Sequence, residues 1–360
     1  MQPTGASEEL IPPTMPAVYL PAPPSGKNRK PKPSNLIYKA DFPTPHCTET
    51  QYLVKVSATA LCPGELEWPH LLHRRENGAV IGHDICGTVL STPVADEHLP
   101  DGPRFKVGDR VFGLIELARD GGAADCVAAE EEELALKPQN ISAVEAASIP
   151  LSALTAYQIL CEHILFKDSM KEYGRHKDLP FRILILNGTG DVGIQAIQIL
   201  RSKSIWRGYH IWVCATTTTT EHERFLRDEL HADEVLNSVE NPDLAQVWKH
   251  RNWPQVHLIL DCMGGGALSR ACIQGILDKA GATTSALEAI CDPDKHQVEG
   301  GYFGVKPNGV QLGMISKLVE DGEIKPYVDK VFELHEAKEA MEYVESRKAR
   351  GKVVVHVNYD

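Results

Sequence analysis

The segment Ile183-Leu184-Ile185-Leu186-Asn187-Gly188-Thr189-Gly190-Asp191-Val192-Gly193-Ile194 constrains the fold more than any other part of the chain. An apolar run, Arg182 to Leu186, ends in Gly-x-Gly-x-x-Gly, and a helical pattern then runs from Val192 to Arg201. Alone, that glycine spacing arises by chance. Between a buried strand and a helix it sets a pyrophosphate on backbone N–H groups at the positive end of a helix dipole. In that arrangement Gly188 permits the tight turn, Gly190 the close approach of phosphate and Gly193 the packing of helix on strand, with Thr189, Asp191 and Val192 between them. Asp191 holds a variable position and is expected to point away from the phosphates. The bland alternative is a βαβ turn without a ligand.

The segments that follow keep the same rhythm: strand Ile211 to Cys214, helix Glu221 to Leu230, strand Val256 to Leu260, helix Ala267 to Leu277. Continuous apolar strands alternating with helices predict a doubly wound parallel sheet covered on both faces, an α/β Rossmann fold. The chain before it reads differently. Eleven of the 24 prolines fall before position 46, so the start is expected to be short extended pieces and loops. Ala17 to Leu20, Tyr52 to Val56, Gly82 to Leu90 and Phe105 to Gly113 read as strands, giving a mostly antiparallel first domain. Ser142 with Glu145 forms a capping box for an alanine-rich helix that Pro150 interrupts, and a second helical stretch runs from Leu151 to His163. Helix Leu334 to Ser346 and strand Lys352 to Val357 close the chain and are placed to return to the first domain.

The second parallel strand discriminates between cofactors. NAD sites usually carry an Asp or Glu about 20 residues beyond the glycines to hold the ribose 2′-hydroxyl. Here the strand ends in Cys214-Ala215-Thr216-Thr217-Thr218, and the first acids, Glu221 and Glu223, lie past it. Without that carboxylate a 2′-phosphate is not repelled. Thr216 and Thr217 can donate to it, and His222 and Arg224 are the nearest cationic candidates, so the sequence favours NADP(H). A β-prone run entering a loop is the other reading of the threonines.

Composition bounds the partners. Thirty-seven basic against 49 acidic residues give a net charge of −12, which disfavours nucleic acid and anionic lipid and leaves a small molecule as the default partner. The 360 residues allow two or three domains. The nine cysteines are scattered, with no Cys-x-x-Cys pair, so reduced thiols fit better than disulfides. No signal-type segment and no run of about 20 apolar residues is present, and a cytoplasmic, non-membrane protein is expected. The basic stretch Lys27 to Lys32, flanked by prolines, reads as a solvated loop rather than a nuclear address.

Five segments in order resemble the medium-chain dehydrogenase/reductase superfamily, in its zinc-independent quinone oxidoreductase and enoyl reductase branch. They are Gly82-His83-Asp84-Ile85-Cys86-Gly87, Phe105 to Gly113, Ala146 to Tyr157, Leu260-Asp261-Cys262-Met263-Gly264-Gly265 and Gly351-Lys352-Val353-Val354-Val355, and the likeness spans nearly the whole chain after residue 15. It implies a GroES-like catalytic domain from residues 1–155 and 325–360, a Rossmann domain from 156–324, and a site in the cleft between them. It implies that Thr155 lies near the nicotinamide carboxamide and that Lys352 approaches the cofactor phosphates; for both, a purely structural role stands beside the functional one. A homodimer is left open.

Zinc-dependent relatives hold the metal with a Cys, the His of Gly-His-Glu and a third ligand. Cys62 and His83 match the first two, but Ser152 stands about where the third would be, and a hydroxyl is a poor zinc ligand. No metal is therefore expected, with Asp84 or Glu65 the residues that could supply an oxygen ligand instead. Zinc-free relatives often carry Asn-Pro-x-Asp beside the nicotinamide, where this chain has Cys62-Pro63-Gly64-Glu65. Cys62, Glu65 and Tyr157 are the candidate catalytic residues by position. The activity implied is reduction by NADPH of a polarised C=C bond in an enone, enoyl thioester or quinone, free or carrier-bound. The proline-rich start and the loop Pro93 to Pro103 suggest, by analogy, secondary metabolism. The alternatives are a zinc-dependent alcohol dehydrogenase and a non-catalytic NADP-binding regulator. With a net charge of −12, the site needs local positive potential, expected from the helix start at Gly190, Arg224 and Lys352.

Overall fold

The computed structural model describes residues 11–22, 30–68, 78–93, 102–162, 179–262, 275–285, 300–302 and 304–359. In chain order the strands are β1 (Thr14–Leu20), β2 (Ile37–Pro43), β3 (Gln51–Leu61), β4 (Ala79–Val80), β5 (Asp84–Ser91), β6 (Arg110–Leu114), β7 (Cys126–Glu130), β8 (Leu134–Leu136), β9 (Phe181–Leu186), β10 (Ile211–Thr217), β11 (Glu234–Asn237), β12 (Val256–Asp261), β13 (Leu277–Ser285), β14 (Gly300–Tyr302), β15 (Val328–Glu333) and β16 (Lys352–His356). The helices are α1 (Ala143–Ala147), α2 (Pro150–Tyr157), α3 (Asp191–Arg201), α4 (Thr220–Arg224), α5 (Leu244–His250), α6 (Gly309–Glu320) and α7 (Ala337–Glu345).

Strands β9 to β14 form one sheet in the order β11-β10-β9-β12-β13-β14, every pair parallel. All six residues of β9 are buried, as expected of a central strand covered on both faces. Chain order runs outward from β9 in one direction and from β12 in the other, so the order reverses between them. A crevice opens at such a switch point, beyond the carboxyl ends of the strands, and the glycine segment lies at the end of β9.

The second sheet has the order β15-β16-β3-β5-β6-β8, with β7 also on β3. It is antiparallel except for β15 with β16, and β16 from the carboxyl end pairs with β3 from the amino half, Val353 opposite Leu61. A small antiparallel sheet, β2-β1-β4, lies beside it and is tied in by Val18 N–H donating to the Ala123 carbonyl at 2.7 Å. One core runs from Ala58, Phe112 and Leu114 through Leu154 and Ile159 to Ile183, Ile197 and Val213, so the two sheets share packing through α2 and α3.

Several elements differ from the sequence reading. The Ser142–Glu145 capping box forms, with Ser142 accepting from Glu145 N–H at 3.2 Å. The strand expected from Phe105 begins only at Arg110, because Lys106 to Asp109 closes a turn in which Asp109 accepts from Lys106 N–H. The stretch 221–230 is one short α turn, capped by Thr219, followed by a wider π turn over Phe225–Glu229. Helix α2 likewise ends at Tyr157 and passes into a π turn, Gln158–Glu162. The helix expected over Ala267 to Leu277 falls mostly outside the described residues, and its last residue, Leu277, opens β13 instead. Also outside lie Lys27 to Arg29, most of the Pro93 to Pro103 loop, and Met263-Gly264-Gly265. No helix among the described residues is long and apolar enough to cross a membrane.

Candidate active site

The turn after β9 is built differently from the expectation. The left-handed residue is Asn187, at φ 62°, not Gly188. Asn187 N–H donates to Thr216 Oγ1 at 2.9 Å and Gly188 N–H to the Thr216 carbonyl at 2.8 Å, which ties the turn to the end of β10. Gly188 is demanded by packing: a Cβ there would stand 2.8 Å from the Ala215 Cβ. At Gly193 a Cβ would overlap the Asn187 carbonyl oxygen and come within 2.9 Å of Gly188 Cα, so helix α3 sits directly on the turn. Gly190 is the N-cap of α3, at φ −68°, and a Cβ there would meet the Asn187 side chain at 2.6 Å. The result is a cradle of bare backbone at the start of an eleven-residue helix, the shape and polarity that receive a pyrophosphate. Thr189 and Val192 are buried within it.

At the end of β10 and just beyond it, Thr217 Oγ1 and His222 Nδ1 are buried and have no hydrogen-bond partner among the described residues. Buried polar groups rarely stay unpaired, so these two atoms keep open hydrogen-bonding capacity at this corner. Burial, and then the Arg350 guanidinium, hold the His222 imidazole below its ordinary pKa. Arg350 packs 4.8 Å from the Phe225 ring centroid and pairs with Glu221 at 3.8 Å. It was not foreseen; the basic run Arg347-Lys348-Ala349-Arg350 is its only trace in the sequence. Arg224 is exposed on α4.

The carboxyl end of the chain reaches this loop. Gly351 forms a parallel bridge with Gly190, its N–H donating to the Thr189 carbonyl at 3.2 Å. That contact delivers Lys352, only 2% exposed, between two carboxylates: Nζ lies 2.9 Å from Asp84 Oδ2 and 3.2 Å from Asp191 Oδ2. Burial alone pulls the Lys352 pKa down, but Asp84 and then Asp191 overturn that and hold the ammonium well above its usual value. Asp84 is itself anchored by Leu151 N–H at 2.5 Å, and Ser152 Oγ donates to Asp191 Oδ2 at 3.1 Å. Lys352, which the resemblance places near the cofactor phosphates, is paired in this structure with both carboxylates. The Asp191 carboxylate, expected to point away from the phosphates, faces Ser152, Lys352 and the Val192 N–H.

The loop Cys62–Glu65 is held by its own carboxylate. Glu65, 2% exposed, accepts from Cys62 N–H at 3.1 Å, Gly82 N–H at 2.5 Å and the Cys62 thiol at 3.8 Å, and contacts His83 Nδ1 at 3.1 Å. Burial pushes the Cys62 thiol well above its usual pKa even though Lys352 draws it down, so it stays protonated at neutral pH. Of the other candidates, Thr155 donates to the Leu151 carbonyl at 2.6 Å within its own helix, and the Tyr157 hydroxyl reaches Met314 Sδ on α6 at 3.4 Å. The structure therefore brings together Cys62, Glu65 and His83 on one wall, Lys352, Asp84, Asp191 and Ser152 beside them, and Thr216 and Thr217 with the glycine turn. Tyr157 and Arg224 stand apart from the first two groups.

A zinc ion does not fit these donors. Both His83 ring nitrogens are engaged, Nδ1 with Glu65 and Nε2 with the Arg119 carbonyl at 3.3 Å. Ser152 serves Asp191, and a lysine ammonium already occupies the centre of the acidic pair. Among the described residues no three His, Cys, Asp or Glu side chains are grouped to hold a metal.

Comparison with known proteins agrees with this architecture. Residues 48–165 match the family described as Alcohol dehydrogenase GroES-like domain, and residues 230–355 match Zinc-binding dehydrogenase. The chain is 33% identical to a probable zinc-binding oxidoreductase, mitochondrial, of Arthroderma benhamiae, over 88% of this chain and 91% of that one. It is 28% identical to an NADPH-dependent alkenal/one oxidoreductase, chloroplastic, of Arabidopsis thaliana, over 89% and 76% of the respective chains. The quinone oxidoreductase of Coxiella burnetii has the same fold, with a TM-score of 0.76 at 23% identity across 96% of this chain and 99% of that one. Two of these relatives are named for organelles, so a cytoplasmic location does not follow from kinship. The sheet order, the glycine cradle at the switch point, the return of the carboxyl strand and the matched families agree: the chain belongs to the medium-chain dehydrogenase/reductase superfamily, among its quinone oxidoreductase and enoyl reductase-like members.

Proposed function

We propose that the chain is an NADPH-dependent oxidoreductase that reduces the polarised C=C bond of an enone, enoyl thioester or quinone. The observation that carries this is the pairing of a glycine cradle at the switch point with a neighbouring wall on which, among the described residues, no zinc donor set is grouped. The Gly188–Gly193 turn and the start of α3 hold the pyrophosphate. Thr217 and His222, two buried groups with open hydrogen-bonding capacity at the end of β10, face the 2′-phosphate, with Arg224 and Arg350 adding positive charge. The name of the Arabidopsis relative points to the same cofactor and to an alkenal or enone substrate.

NADPH, when bound, supplies the hydride that attacks the β-carbon. The protein's share is orientation and the stabilisation of charge growing on the carbonyl oxygen, which in a water-poor cleft falls to hydrogen-bond donors. The Cys62 thiol, which donates to Glu65 at 3.8 Å, would serve as a donor on that wall only by turning from Glu65 to the substrate, and Glu65 is the positioning residue that fixes its loop through Cys62, Gly82 and His83. Losing one donor of this kind typically costs about 3 kcal/mol in the transition state.

The test follows nicotinamide absorbance while a panel of enones, enoyl thioesters and quinones is added, with and without a chelator. Oxidation of NADPH by members of the panel, unchanged by chelator, is expected. Loss of turnover with chelator would favour the zinc alcohol dehydrogenase reading, and tight NADPH binding without turnover across the panel would favour a regulator.

A further inference from the structure

The second glycine of the cradle is followed by an aspartate whose carboxylate folds back into the cradle. Asp191 Oδ1 accepts from Val192 N–H at 2.9 Å, and Oδ2 accepts from Ser152 Oγ at 3.1 Å and pairs with Lys352 Nζ at 3.2 Å. A helix-start N–H, a buried hydroxyl and a buried ammonium are the donors that would hold a phosphate oxygen. Here they hold a side chain of the protein. Lys352 also pairs with Asp84, so two carboxylates share one ammonium where an anion has to dock.

We propose that Asp191 is a resident anion: it occupies the phosphate subsite of the glycine loop and sets the affinity for every dinucleotide that enters. The proposal rests on the dinucleotide reading of the cradle. An arriving pyrophosphate must either displace the carboxylate from Val192 N–H and Lys352 or sit beside its charge, and either course weakens binding. The penalty falls on the pyrophosphate, which NADPH and NADH share. It is therefore separate from selection at Thr217 and His222, which concerns only the 2′ position. A purely structural Asp191, favourable at a helix start and tied to Lys352, would affect folding stability and leave cofactor affinity alone.

The experiment titrates NADPH and NADH into the wild type, Asp191→Asn and Asp191→Ser, following nicotinamide fluorescence, with circular dichroism and apo melting to confirm folding. Asparagine keeps the side chain's shape and removes its charge; serine carries the test if the asparagine variant fails to fold. Both dinucleotides should bind about tenfold tighter to the variants, with their ratio unchanged. Unchanged or weaker binding in a folded variant, or a gain for one dinucleotide only, would overturn the proposal while the wild type still binds. No binding by wild type or variants would instead overturn the dinucleotide reading, and the proposal with it.

Discussion

Gly190→Val is expected to lower NADPH affinity by more than about a hundredfold while the apoprotein keeps its fold and melting temperature. The backbone at Gly190 has an ordinary φ of −68°, so a side chain costs no backbone strain. Its Cβ would meet the end of the Asn187 side chain, which can swing aside. A valine there would crowd Asn187 and the glycine turn proposed to receive the phosphate. Gly193 would be the wrong choice, because a side chain there collides with the Asn187 carbonyl and the Gly188 backbone and would distort the turn itself. Fluorescence titration read beside apo melting separates the two effects, and normal affinity in the Gly190 variant would remove the cradle from the site.

The second large effect is on stability. Lys352→Met should destabilise the protein by about 3 to 5 kcal/mol, because it leaves Asp84, 1% exposed, and Asp191 without their counter-ion. Measured by denaturant unfolding, that is a large share of the total stability of an ordinary domain. Adding Asp84→Asn to Lys352→Met should recover a substantial part, since the penalty is the orphaned charge rather than the missing lysine. The sign of the pH dependence follows from the raised Lys352 pKa. The pair contributes fully below the lysine's ordinary value of about 10.4 and is lost only as pH rises through the higher folded-state value, so the cost of Lys352→Met should be as large at pH 9 as at pH 7.

The Rossmann half was the more legible part of the chain, for a physical reason. Strands buried on both faces are mostly apolar, and the continuous apolar cores of β9, β10 and β12 announce themselves that way. β15, Val-Asp-Lys-Val-Phe-Glu, was passed over because it is a half-exposed outer strand whose partner, β16, supplies the regularity. Helix α6 was passed over as well, since Gly309 and Gly313 interrupt its pattern. Leu277 was misread because an apolar residue next to a helical pattern can as easily open a strand.

In the site, spacing disclosed the glycine cradle but not which residue makes its turn. Asn187 takes the left-handed conformation at the turn that the sequence reading attributed to Gly188, and Gly188 is needed for its closeness to Ala215. The Lys352 cluster was not legible at all. Asp84, Asp191 and Lys352 lie more than a hundred residues apart in sequence, and only the return of β16 brings them together. Thr155 and Tyr157 illustrate the converse: both occupy positions marked by resemblance, yet their hydroxyls are engaged by Leu151 and Met314.

The most direct measurement of the central claim uses NADPH carrying deuterium at C4 of the nicotinamide, with an enone and an enoyl thioester as acceptors and mass spectrometry with NMR to locate the label. The account predicts one deuterium on the β-carbon of the saturated product, in the same yield with and without chelator. Deuterium found only on the carbonyl carbon of an alcohol product, or transfer abolished by the chelator, would contradict it.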